Sequence, residues 1–271
     1  MFHSSTEAVS GKKGLDQMIS NIVQTVQPEK IFCRNDFFLI VISGRSQKPL
    51  SEYKTVIDAT GMHSLFHYAV CTADVLAQHL INGDLFYSTL CIPCNLVYDC
   101  GARILPLPMM HRARHIQEKA SHDFMAGFNR ALAFLNGAAF HQANEEHAMA
   151  AFMLHQAAEQ CMRAMLLSVL GQDVKTHTLA DLKQVLKKYG LAVNALSCAP
   201  TEREQYLFDR LEKAYVCARY TDCFEITQDD IFQLHPKIKS LLQELKYSFE
   251  SLLNQFMLSE AHDSRPINLA S

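Results

Sequence analysis

The chain offers no uninterrupted run of about eighteen apolar residues, the length a helix needs to cross a bilayer, so no membrane-spanning helix is expected. Its opening residues, MFHSSTEAVSGKKG, lack the apolar core of a secretory signal, and the expectation is a cytoplasmic protein. None of the 10 glycines stands in a phosphate-cradling loop of the Walker type, which removes that class of nucleotide binder. Cys91-Ile92-Pro93-Cys94 is a CxxC pair with Cys100 beyond it and no second pair. Zinc held by cysteines calls for four ligands, often as two such pairs, so no metal and no cofactor are expected. Net charge is also small, −3, too little for a global drive toward nucleic acid or an anionic membrane. Nine cysteines, an odd number with several inside apolar helical runs, suit reduced thiols better than a disulfide framework. There is no internal repeat.

What is present is an ordinary globular composition, 271 residues with 49% hydrophobic and 20% charged, enough for two average domains. The fold class expected is α/β followed by all-α. Residues 1–13 read as a tail and residues 14–104 as an α/β domain. Within it, helical spacing marks Leu15–Val23, and a short strand follows Pro28 at Lys30–Cys33. The continuously apolar run Phe37–Ile42 is a strand buried on both faces. Ser51–Ala59 is the next helix and Ser64–Cys71 the next strand. A helix over Asp74–Asn82 is capped by Thr72 or Asp74 and ended by Gly83.

Leu105-Pro106-Leu107-Pro108 opens a linker, residues 105–113, after which strands disappear. Apolar positions spaced by three and four predict a long helix from Arg114 to about His141 and a second from about Asn144 to Leu170, ended by Gly171. Thr178 with Asp181 three residues on reads as a cap for a third helix, ending near Tyr189-Gly190. Thr201 to about Tyr220 is the fourth, and Pro236 to Met257 the fifth, with its proline in the first turn. Residues 258–271 read as a tail. The basic stretch His111-Arg112-Ala113-Arg114-His115, continuing to Lys119 and His122, reads as a solvated helix face before a phosphate patch.

Several segments of the helical half carry a resemblance. Phe152 to Gln160 (FMLHQAAEQ), Arg163 to Leu167 (RAMLL), Gly171, Thr176 to Leu182 (THTLADL) and Ala218 to Asp222 (ARYTD) look like the HEPN domain. The resemblance spans about residues 114–257. It implies a helical bundle of about five helices, found in nucleotide- and RNA-related proteins and often dimeric. Many HEPN proteins are metal-independent ribonucleases marked by an arginine and, four to six residues later, a histidine. Arginine grips the scissile phosphate with two donors, and histidine moves a proton. Arg219 matches the arginine, but Cys223, Phe224 and Glu225 occupy the histidine positions, and none of them titrates as imidazole does.

The N-terminal half is similar, more coarsely, to the minimal nucleotidyltransferase domain that often accompanies HEPN. Pro28 to Cys33 and Asn35 to Ile42 resemble its first strand, turn and second strand; Gly83 to Ser88 and Leu96 to Asp99 resemble its closing segments. Arg34-Asn35 stands where the Gly-Ser turn is needed, Asp36 matches one metal-binding carboxylate, and Phe38 replaces the second. Leu65–Val70 supplies no third. The resemblances together imply a non-catalytic nucleotide- or RNA-binding protein with an inactive nucleotidyltransferase-like domain, a homodimer through the bundle. Arg219, Tyr220 and Asp222 are the leading contacts, although Arg219 and Asp222 could simply pair. His155, Glu159 and Arg163, spaced by four, could line a groove, or Glu159 and Arg163 could be a solvated pair. His177 reads as a turn or capping residue. The alternatives are an atypical ribonuclease in which another histidine completes Arg219, and a purely structural interaction module.

Overall fold

The computed structural model describes residues 5–45, 48–61, 66–102, 104–105, 113–191, 193–196, 201–220 and 224–263, the side chains of 5–14, 219–220 and 259–263 excepted. The chain forms two compact units. One comprises Met1–Gly83 and Leu90–Pro108, and the other Asp84–Thr89 and Met109–Ser271.

The first unit is a four-stranded mixed sheet with helices. Its elements are α1 (Ser5–Val26), β1 (Lys30–Arg34), β2 (Phe37–Ile42), α2 (Leu50–Ala59), β3 (His67–Thr72), α3 (Ala73–Asn82) and β4 (Leu96–Asp99). The strand order is β3-β2-β1-β4, with β2 parallel to β3 and β1 antiparallel to both β2 and β4. Every residue of β2 is buried, as its unbroken apolar run requires of a strand covered on both faces. Phe38, Ile40 and Ile42 join Ile22, Val26, Ile31 and Ile57 in one core. Lys30 is buried at the sheet and pairs with Asp99 at 2.6 Å, and that bond holds the Asp99 carboxyl below its ordinary value. Thr72 is the N-cap of α3, accepting from the Val75 N–H, and Gly83 ends the helix in a left-handed conformation.

The second unit is all-helical. It contains α4 (Leu85–Leu90) up to Thr89, then α5 (Ala113–Ala143), α6 (His147–Leu170), α7 (Leu179–Lys188), α8 (Glu202–Tyr220) and α9 (Gln228–Asp263). The mixed sheet followed by a helical bundle is the fold class expected from the sequence. Residues 84–89, read as part of the α/β half, group instead with the helical unit, where Asp84 is buried 3.7 Å from Lys119 of α5.

Helix α6 is buried along most of its length because alanines occupy many of its inward positions. Small side chains let α5 approach closely: Gly127 faces Ala164 so tightly that an added Cβ would lie 2.5 Å from the Ala164 Cβ. Phe124 of α5 stacks on Phe249 of α9, centroids 4.2 Å apart.

Other expectations are corrected: residues 5–13, read as part of a tail, belong to α1, and residues 258–263, read as part of the other tail, belong to α9. Helix α9 starts well before Pro236, which lies inside it, because Thr227 and Asp230 form a capping box. The Thr227 hydroxyl accepts from the Asp230 N–H at 3.2 Å, and Asp230 accepts from the Thr227 N–H at 2.9 Å. Thr178 precedes α7 but makes no side-chain capping bond. The Ala180 N–H in the first turn donates instead to Glu212 of α8 at 2.7 Å.

Candidate functional site

Of the six residues expected to bind a ligand, His155, Glu159 and Arg163 are described in full and lie on one face of α6. Arg219 and Tyr220 close α8, their side chains outside the described residues, as is Asp222. Glu159 is not part of a solvated pair, since it is only 1% exposed. Burying a carboxylate is costly unless it is paired and hydrogen-bonded, and three neighbours meet that need.

Its Oε1 accepts from Arg163 Nη1 at 3.3 Å and from His177 Nδ1 at 3.0 Å, and its Oε2 accepts from Gln156 at 3.0 Å. Because a carboxylate only accepts, the His177 Nδ1 carries the proton and Nε2 is left as the second, chemically active nitrogen. His177 is therefore not a simple turn residue. It is 54% exposed and stacks on Tyr215, centroids 4.5 Å apart and rings 15° from parallel.

Arg163 reaches Asp173 at 2.8 Å as well as Glu159. The Asp173 bond first, and the Glu159 bond after it, raise the guanidinium above its ordinary value despite partial burial. His155 is fully buried behind this layer, its ring 5.2 Å from Tyr215, with Gln156 donating to its Nδ1 at 3.3 Å. Its Nε2 lies 4.0 Å from Glu212. Burial pushes the Glu212 carboxyl up, opposed in part by the N–H groups of Ala180 and Leu179 that it accepts from.

The site thus has a buried carboxylate anchor, a partly exposed guanidinium, and an imidazole–phenol stack open to solvent. Tyr215, Asp173 and Gln156 are not among the residues expected from sequence. A signal for Tyr215 exists: it stands four residues before Arg219, and i,i+4 residues share a helix face. Among the described residues no group of three or more His, Cys, Asp or Glu could hold a metal ion. Cys91 is buried, its thiol pushed up by burial, whereas Cys94 is exposed. Arg114, in the basic stretch that runs into the first turn of α5, is a solvated side chain paired with Glu118 at 2.9 Å; His111 and Arg112 of that stretch lie outside the described residues.

The helical bundle thus carries, on its second long helix, a buried Glu and an Arg one turn apart, beside an exposed His on the following connection. Residues 125–249, a little under half of the chain, match the family model of the HEPN domain. A solved structure, that of TT1696 from Thermus thermophilus, is 22% identical over 51% of this chain and 98% of its own, with a TM-score of 0.32. No curated protein matches the chain. Among the described residues no helix is long and apolar enough to cross a membrane.

Proposed function

We propose that this protein binds a nucleotide or RNA at the end of α8 without processing it. The HEPN domain supports a nucleotide- or RNA-related role. The observation that carries the reading is the His177–Tyr215 stack, anchored from below by Glu159 with Arg163 alongside. An exposed aromatic surface beside guanidinium groups suits a base and its phosphate. Arg219, one turn beyond Tyr215 on α8, adds the phosphate grip, with Tyr220 and Asp222 following. The absence of histidine at 223, 224 and 225 argues against the usual ribonuclease chemistry.

The first unit acts as an inactive nucleotidyltransferase-like domain. Supporting this, Phe38 is buried in the core where a metal-binding carboxylate would be needed, and β3 carries no carboxylate. The protein works as a homodimer through the bundle, without metal or cofactor, in the cytoplasm; the seven described cysteines are all free.

The test is calorimetric titration with ATP, GTP and a short single-stranded RNA, run on the native chain, Arg219→Ala and His177→Ala. Saturable heat lost in both variants is expected. Heat unchanged by Arg219→Ala would sink the proposed site, and no heat from any ligand would favour a structural interaction module.

A second reading has one observation in its favour. Glu159 orients His177 as a carboxylate orients a general base, so His177 could replace the missing family histidine in a metal-independent ribonuclease. Cleavage of labelled RNA in excess chelator, abolished by His177→Ala, would establish that reading over mere binding.

A further inference from the structure

A pocket of about 370 Å³ opens between α7, α8 and α9, lined by none of the residues expected to bind a ligand and touching the site described above only through Ala180. Its floor is apolar: Leu207, Leu211 and Leu234 are all buried, and the Phe208 ring lies beside them. Its rim is cationic, with Lys183 and Lys187 from α7 and Lys237 from α9, against a single carboxylate, Glu204.

The four charges are not equally engaged. Lys237 pairs with Glu204 at 2.7 Å, and that bond, with help from the Thr201 N–H, holds the Glu204 carboxyl down to about 2. This pair is internally neutral. Lys183 donates to the Leu196 carbonyl and stands 5.7 Å from the Phe208 ring centroid, which fixes its ammonium group beside the apolar floor. Lys187 is exposed, makes no ion pair or side-chain hydrogen bond among the described residues, and projects one turn along the same face of α7. The lining thus holds more cationic than anionic groups above an apolar floor. On a chain whose net charge is −3, that is a local field opposite to that of the whole molecule.

We infer that this pocket is a binding site for a small amphipathic anion: an aromatic or branched aliphatic body with a carboxylate or phosphate-monoester head. The body covers Leu207, Phe208, Leu211 and Leu234, and the head pairs with Lys187 on the side that faces Lys183. A cavity of this size suits a small molecule. A purely apolar ligand would leave the Lys187 ammonium without a partner and gain nothing from its charge. A bare inorganic anion would leave the leucine floor in water and forgo most of the burial energy. Only a ligand with both parts satisfies both surfaces. The pocket is separate from the nucleotide or RNA corner, yet the two share α7 and α8. The Ala180 N–H to Glu212 bond lies between them, so occupancy would brace the connection that carries His177.

The chain contains no tryptophan, so naphthyl fluorescence can be followed without indole background. The full chain is titrated with 1-naphthyl phosphate and 1-naphthoate, with 1-naphthol and inorganic phosphate as part-ligands. Saturable binding is expected for at least one of the two complete probes, whichever is tighter identifying the head group. Each part-ligand should bind at least about tenfold more weakly. Lys187→Glu should weaken the tighter probe by about tenfold or more, with Lys187→Gln intermediate, whereas Lys239→Glu, an exposed control on α9, and Arg219→Ala should not. Lack of saturable binding, equal loss in Lys187→Glu and Lys239→Glu, or displacement by inorganic phosphate as effective as by naphthoate would each overturn the inference. So would loss in Arg219→Ala alone, which would put the probe in the nucleotide or RNA corner.

Discussion

Glu159 is the residue on which the candidate site turns, because three side chains converge on one buried carboxylate. Replacing it with alanine leaves Arg163 its bond to Asp173 and Gln156 its longer bond to His155, but strips His177 Nδ1 of its acceptor. Glu159→Ala should cost about 2–3 kcal/mol and Glu159→Gln about 1 kcal/mol in urea unfolding. A loss below about 0.5 kcal/mol for the alanine variant would mean that the carboxylate is not structurally engaged. Asp230 supplies a pH-dependent counterpart. Burial is the largest influence on it and acts to raise its pKa, but the Thr227 N–H, the Thr227 hydroxyl and Arg203 together outweigh burial and hold the carboxyl below its ordinary value. A depressed carboxylate pKa contributes stability above the unfolded value of about 3.9, and that contribution is lost as pH falls through the folded one. Asp230→Asn should therefore cost about 1–2 kcal/mol at neutral pH, with the gap from wild type closing below about pH 4. A gap that does not narrow as pH falls below about 4 would contradict the assignment.

Among the elements, the contact of α5 with α6 depends on small residues. Alanine has the better helix propensity, by about 1 kcal/mol, so an isolated helix would prefer it at 127. The 2.5 Å approach to the Ala164 Cβ, and the 3.3 Å approach to its Cα, oppose that. The facing atoms belong to a short side chain and the backbone, neither of which can swing away. Gly127→Ala should lower stability by about 1–3 kcal/mol, and Ala164→Gly in the same chain should recover part of the loss, a coupling readable in a double-mutant cycle of thermal melts. Additive losses would show that the two helices do not meet there. Strand β2 is legible in the sequence to the residue, because burial on both faces leaves an unbroken apolar run. The start of α9 is not, because proline in a first turn is the commoner pattern, whereas here Thr227 and Asp230 nucleate the helix upstream and tertiary packing carries it past Pro236. The cap of α7 is equally hidden, because its acceptor, Glu212, lies 32 residues away.

For the molecule as a whole, the homodimer proposed through the bundle predicts a sedimenting mass about twice the 30.6 kDa of one chain; a monomer at micromolar concentration would remove that part of the proposal. Residue order alone suffices for the succession of an α/β half and a helical half, for the HEPN-like segments that the family match supports over residues 125–249, and for the lack of histidine at positions 223–225. These are local properties, written in periods of two and 3.6 and in residue identity. Packing was needed to show that residues 84–89 group with the helical unit, that Glu159 is buried, that His177 is its partner 18 residues away, and that three lysines from two helices rim one apolar pocket. Pairing of that kind depends on which helix faces meet once the core closes, and spacing within a single helix carries no record of what the neighbouring helix presents.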